Sequence, residues 1–327
     1  MSRGRTLAVT WFIALALAIA FFFQVRTLAF GNYENNITGY DFVGGSKFGQ
    51  GHLSTILQTR AAGYWLSGKL LNAVAGRAGN VTTKQYANTF GFYHAAWLLA
   101  TFGVLIAFVK KPVFGILGTA AALSFYLVAP ASSEPYDLAT MFFFTLAWLL
   151  WRHGWFECMM AVIVLSTAFK ETTALIALLF FFVPPAVANG DSGVHVPGGL
   201  NWPQKAGYFA ATAMGCVLLR LWLTHSGTGH CQIYTAQNNL DWPHVKAIFV
   251  AWHGDLFLLR NWVWFNGGLL FLSLFLLPMK TVADKGVKLV LALFMAGQLA
   301  GGDFTAPRDF IEVIPVCLIY LQNSLEL

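Results

Sequence analysis

Apolar residues run along this chain in long unbroken blocks, separated by short polar breaks. Several blocks reach about 17 to 20 residues, which is long enough for an α-helix to cross a bilayer. Their placement predicts helices at 6–25, 91–109, 113–129, 136–151, 155–169, 173–188, 206–224, 256–277, 287–301 and 309–323. The strict alternation expected of a membrane β-barrel is absent. No internal repeat, low-complexity tract or heptad run is visible. The expectation is an all-α, polytopic transmembrane bundle of about ten helices, forming a single membrane domain over 1–327. Two long polar connections interrupt it, at 26–90 and 225–255. Each contains a stretch that reads as an amphipathic helix lying on the membrane, at about 53–75 and at 242–253.

Composition agrees with the pattern. Of 327 residues, 57% are hydrophobic and only 10% are charged, against about a quarter charged in a soluble domain. Mean hydropathy is +0.62. The net charge of +6 is spread over helix ends, so it points to no nucleic-acid partner. Membrane lipids are the expected surroundings. Cys158, Cys216, Cys231 and Cys317 have neither CxxC nor metal-ligand spacing, and three of them fall in apolar segments as small packing residues. The opening MSRGR and the apolar run after it resemble a signal peptide. No clean small-x-small cleavage site follows, so this run is expected to be retained as the first helix.

Lysine and arginine in the short loops set an orientation. Counting ten helices from a cytoplasmic N-terminus places Arg3 and Arg5, the Lys110–Lys111 loop, Arg152, and the loop with Lys280, Lys285 and Lys288 on one side. Both termini are then cytoplasmic, and the expected location is a bacterial inner membrane. Parity rests on 155–188. One helix of that length would measure about 51 Å, against a hydrocarbon core of about 30 Å. A helical hairpin turning at Lys170-Glu171-Thr172-Thr173 is predicted instead.

This topology gathers five polar stretches on the non-cytoplasmic face: NYENNITGYDFVGG, PASSEPYD, FKETT, the loop 225–255, and GGDFTAPRDFIE. Charges at a membrane edge tend to line a cavity or a site. Lys170 and Glu171 are neighbours, about 100° apart on a helix, so they do not pair with each other and each needs another partner. Arg308, Asp303, Glu134 and Asp137 are candidates for that role. The competing reading is a solvated helix turn. His225, His230, His244 and His253 share one loop without an HxxH or HxH pair, which reads as a histidine-rich interfacial loop rather than a metal site. Sequons occur at Asn36 and Asn80, as chance alone would also allow.

Three features in chain order carry a resemblance. They are Asp41 in TGYDF within a large first outer loop, KETTALI before an apolar helix, and Arg308 in PRDFIEVIPV at the start of the last helix. Their order and sidedness resemble the GT-C superfamily of integral-membrane glycosyltransferases, which use polyprenyl-phosphate-linked sugars. The resemblance implies a polyprenyl-phosphate lipid partner and transfer of its sugar to an acceptor on the non-cytoplasmic face. Inverting transfer needs a base to deprotonate the acceptor hydroxyl, and Asp41 suits it, with Glu34 as substitute. Cations or a divalent metal must offset charge on the departing phosphate. Lys170 and Arg308 are the candidate phosphate ligands, the lysine as a point charge and the arginine as a fork. Glu171 would pair with Arg308 or orient the acceptor. The bland alternatives are a turn role for Asp41 and snorkelling for Arg308. Two other function classes compete, a non-catalytic subunit of a larger membrane complex and a small-solute transporter. Transporters tend to show repeats and helices broken at midplane.

Overall fold

The first helix outruns its apolar block. In the computed structural model α1 spans Arg3–Gly31 rather than 6–25. The structure describes residues 3–31, 61–75, 81–126, 137–183, 200–224, 268–276, 279–301 and 307–324. Within the first long connection, α2 (Ala61–Ala75) lies where an interfacial helix was predicted. The next helix, α3 (Thr83–Phe108), begins eight residues before the predicted 91. Its start is fixed by a capping box, in which Gln85 N–H donates to the Thr82 hydroxyl and Thr82 N–H to the Gln85 side chain. Helices α1 and α3 pack side by side. Gly91 permits the contact, since a Cβ there would meet the Phe22 carbonyl oxygen at 3.0 Å. Arg26 Nε adds a hydrogen bond to Asn88 Oδ1 at 2.6 Å. The other side of α1 exposes Phe12, Ile19 and Phe23.

The chain continues through α4 (Pro112–Tyr126), α5 (Asp137–Arg152) and α6 (Phe156–Ser166). Gly154, at φ 73°, ends α5 in a left-handed turn that favours glycine. Gly154 N–H bonds to Trp151 O and Trp155 N–H to Leu150 O, satisfying the last carbonyls of α5 in a Schellman pattern. A 3-10 helix follows at Glu171–Phe182, then α7 (Trp202–Thr224), α8 (Gly268–Phe275) and α9 (Val282–Gly301). The last predicted helix divides into a 3-10 segment, Pro307–Val313, and α10 (Ile314–Ser324). The described residues are mostly helical, with no strand among them.

The segment 155–183 turns back on itself. Phe156 at the start of α6 has its ring 6.1 Å from that of Phe180, near the far end of the first 3-10 helix. Trp151 Nε1 donates to Leu179 O at 2.7 Å in the same region. Both strokes of this hairpin pack against α7, where Tyr208 stacks on Phe180 at 5.3 Å. The returning stroke was predicted as an α-helix at 173–188. The described part is a 3-10 helix of 12 residues, Glu171–Phe182. Three residues per turn align Thr173, Ile176 and Leu179 on one buried face.

Helix ends sort to two poles. Phe169 in the hairpin turn packs with Tyr64 of α2 and Ala139 in the first turn of α5. Ala62 N–H donates to Ala168 O at 3.0 Å at the same place. At the opposite pole, Gln322 near the end of α10 donates through Nε2 to Lys111 O at 3.0 Å. Asp284 at the start of α9 acts there on Arg152 and on the Tyr320 hydroxyl. The turn after α3, the turn after α5 and the turn before α9 therefore share one pole, and the Lys170 turn occupies the other. Among the described residues, three helices are long and apolar enough to cross a membrane, at Gly4–Ala29, Thr83–Phe108 and Trp202–Leu223.

Candidate functional site

The hairpin turn separates neighbouring side chains. After α6, Phe169 and Lys170 both donate their N–H groups to Ser166 O, at 2.8 and 3.0 Å. Lys170 then adopts extended backbone and stands at the head of the 3-10 helix without a side-chain cap hydrogen bond. This geometry sends Lys170 and Thr172 to one partner and Glu171 to another. Lys170 Nζ forms an ion pair with Glu312 Oε1. Thr172 Oγ1 donates to the other oxygen of the same carboxylate, Oε2. Glu171 Oε2 lies 3.9 Å from Arg220 Nη1 on α7, and both of those side chains are about a third exposed, at 37% and 35%.

Lys170 is 4% exposed and Glu312 is 1% exposed. The reading of Lys170 as part of a solvated turn is therefore overturned. Its burial follows from the elements around it, since the first 3-10 helix and the segment Pro307–Val313 both pack on α5. Taking two charges out of water costs several kcal/mol per ion, and their attraction offsets that only with good geometry. Here Thr172 donates a hydrogen bond to one carboxylate oxygen, and the Lys170 ammonium pairs by charge with the other. The hydroxyl of Thr173, one residue on, is also buried and has no hydrogen-bond partner among the described residues.

Asp137, at the first position of α5, is buried at the same pole. A carboxylate there also suits the positive end of the helix dipole. Beneath the turn, Trp97 of α3 meets Phe142, Phe143 and Phe169 at 5.4 to 5.6 Å between ring centres. These rings seat the turn on α3 and α5.

Of the predicted site residues, Lys170, Glu171 and Asp137 stand at this pole. The backbone of Arg308 lies in the 3-10 segment Pro307–Val313, which also carries Glu312. Asp41, Glu34, Glu134 and Asp303 lie outside the described residues, as does the histidine loop 225–255. The expected partners do not include Glu312 for Lys170 or Arg220 for Glu171. A signal existed for both: Glu312 is a lone acid within FIEVIPVCLIY, and Arg220 a lone base within CVLLRLWLT. Among the described residues, no three His, Cys, Asp or Glu side chains gather as a metal-ligand group. No protein-family model, no curated protein and no solved structure matches this chain.

Proposed function

We propose that this protein is a membrane glycosyltransferase of the GT-C kind. It would move a sugar from a polyprenyl-phosphate donor to an acceptor on the non-cytoplasmic face of a bacterial inner membrane. About ten membrane helices, with both termini cytoplasmic, complete the reading. The observation that carries it is the buried Lys170–Glu312 pair with Thr172, on the pole where Asp137 begins α5 and where the Arg308 segment docks. Ionisable groups in such a place are expensive for stability and tend to mark a site.

A polyprenyl phosphate keeps its tail in the bilayer and its charged head at the interface. A lysine at a turn on the rim of an apolar bundle meets that head without crossing hydrocarbon. In this mechanism Asp41 deprotonates the acceptor hydroxyl, with Glu34 as its substitute. Lys170 and Arg308 offset the charge that develops on the leaving lipid phosphate. The test is sugar transfer by the purified protein in liposomes loaded with polyprenyl-phosphate sugars. Asp41→Asn should lower turnover by about 10²–10⁴-fold while folding is retained. Near-parental turnover in that variant would remove Asp41 as the base. Inactivity of the parent with every donor tried, together with a stable co-purifying membrane protein, would favour a non-catalytic subunit.

A further inference from the structure

The head of the first 3-10 helix is an anion cradle, and its occupant belongs to the chain itself. Lys170 supplies an ammonium group and Thr172 a hydroxyl, and each holds a different oxygen of one buried carboxylate. The start of the helix carries no side-chain cap, and uncapped helix starts favour anions. The next residue, Thr173, carries a buried hydroxyl without a hydrogen-bond partner among the described residues. Two oxygens of an anionic group held by one ammonium and one hydroxyl is also how a phosphate monoester would be held.

We propose that the Glu312 carboxylate stands in the place of the ligand phosphate, and that a phosphate monoester displaces it from Lys170 and Thr172. Glu312 is then a positioning residue, which keeps the cradle formed between ligands and sets how tightly phosphate is held. This inference rests on the lipid-phosphate reading given above. The exchange makes and breaks no covalent bond. One anion leaves the ammonium and the hydroxyl as another arrives. Two anions crowded on one buried ammonium repel each other, so the resident carboxylate weakens the incoming phosphate.

The experiment is equilibrium binding of geranyl phosphate, geraniol and inorganic phosphate to the purified full-length protein in nanodiscs. Glu312→Gln keeps the shape and removes the competing charge. It should bind geranyl phosphate roughly tenfold or more tightly than the parent, on the scale of a charged hydrogen bond, with geraniol unchanged. Glu312→Asp keeps the charge but shortens its reach, and should show a smaller gain in the same direction. Adding Lys170→Met should abolish the gain. Should Glu312→Gln fail to fold, the Asp variant carries the test. A folded Gln or Asp variant that binds geranyl phosphate no more tightly than a phosphate-binding parent overturns the displacement and leaves the lipid-phosphate reading standing. If parent and variants alike bind geranyl phosphate no better than geraniol, the lipid-phosphate reading fails, and the displacement falls with it. An equal gain for inorganic phosphate supports displacement and assigns the anion to free phosphate rather than a lipid head.

Discussion

Each charge of the buried pair offsets the desolvation of the other. Deleting one partner leaves an uncompensated buried ion, a loss of about 3–5 kcal/mol, whereas replacing both with apolar groups of similar volume is often neutral or better. Lys170→Met and Glu312→Leu should each lower the melting temperature in detergent markedly. The double variant should recover most of that loss. A double variant as unstable as the sum of the singles would mean that the two side chains act independently. Thr172→Val, which removes the hydroxyl at nearly constant shape, should cost about 1–3 kcal/mol because one carboxylate oxygen loses its donor. Lys170 and Asp137 were legible as candidates because charges interrupt apolar text there. The partner was not, because Thr172 and Glu312 are 140 positions apart in the chain. Only the packing of two 3-10 segments on α5 brings them together.

Among the elements, the hairpin was readable from length, since one helix through 155–188 would overshoot the bilayer. Its returning stroke was not. ETTALIALLFFF is apolar on every face, so neither a period of three nor one of 3.6 residues stands out, and tertiary packing decides between them. The early start of α3 had a local signal that the apolar block concealed, the Thr82–Gln85 capping box ahead of the hydrophobic run. The 3-10 helix is held from its far side by α9, where Gly286 faces Phe182. A Cβ on Gly286 would lie 2.4 Å from Phe182 Cβ and 2.6 Å from its Cγ. Phe182 Cβ is anchored to the backbone and cannot swing aside, so Gly286→Ala must push the two elements apart. We expect Gly286→Ala to destabilise by about 1–3 kcal/mol, the scale of overpacking. The simultaneous change Phe182→Ala should relieve part of it. Thermal melts of Gly286→Ala, Phe182→Ala and the double variant measure this coupling, and an unshifted Gly286→Ala would show that the contact is loose.

For the whole molecule, two poles follow from contacts without reference to a membrane. Phe169 against Ala139 and Tyr64 marks one, and Gln322 on Lys111 O with Arg152 near Asp284 marks the other. The sequence anticipated this separation through its basic loops, because lysine and arginine collect where short loops stay on the cytoplasmic side. The three long apolar helices among the described residues give the bundle its membrane character. Sidedness then makes a prediction that the contacts support and a bilayer can test. Cysteines placed at Ser133, just before α5, and at Ala283, at the start of α9, should react with an impermeant maleimide from opposite sides of sealed vesicles. The four native cysteines must first be replaced, because Cys158 is exposed. Asp137 and Asp284 reside at opposite poles, and the two labelling positions lie four and one residues from them. Labelling of both from one side would break the link between the poles and the membrane faces. If that one side were the cytoplasmic one, the Lys170 cradle would also lie where a lipid-linked sugar on the non-cytoplasmic leaflet could not reach it, because the cradle shares its pole with the start of α5.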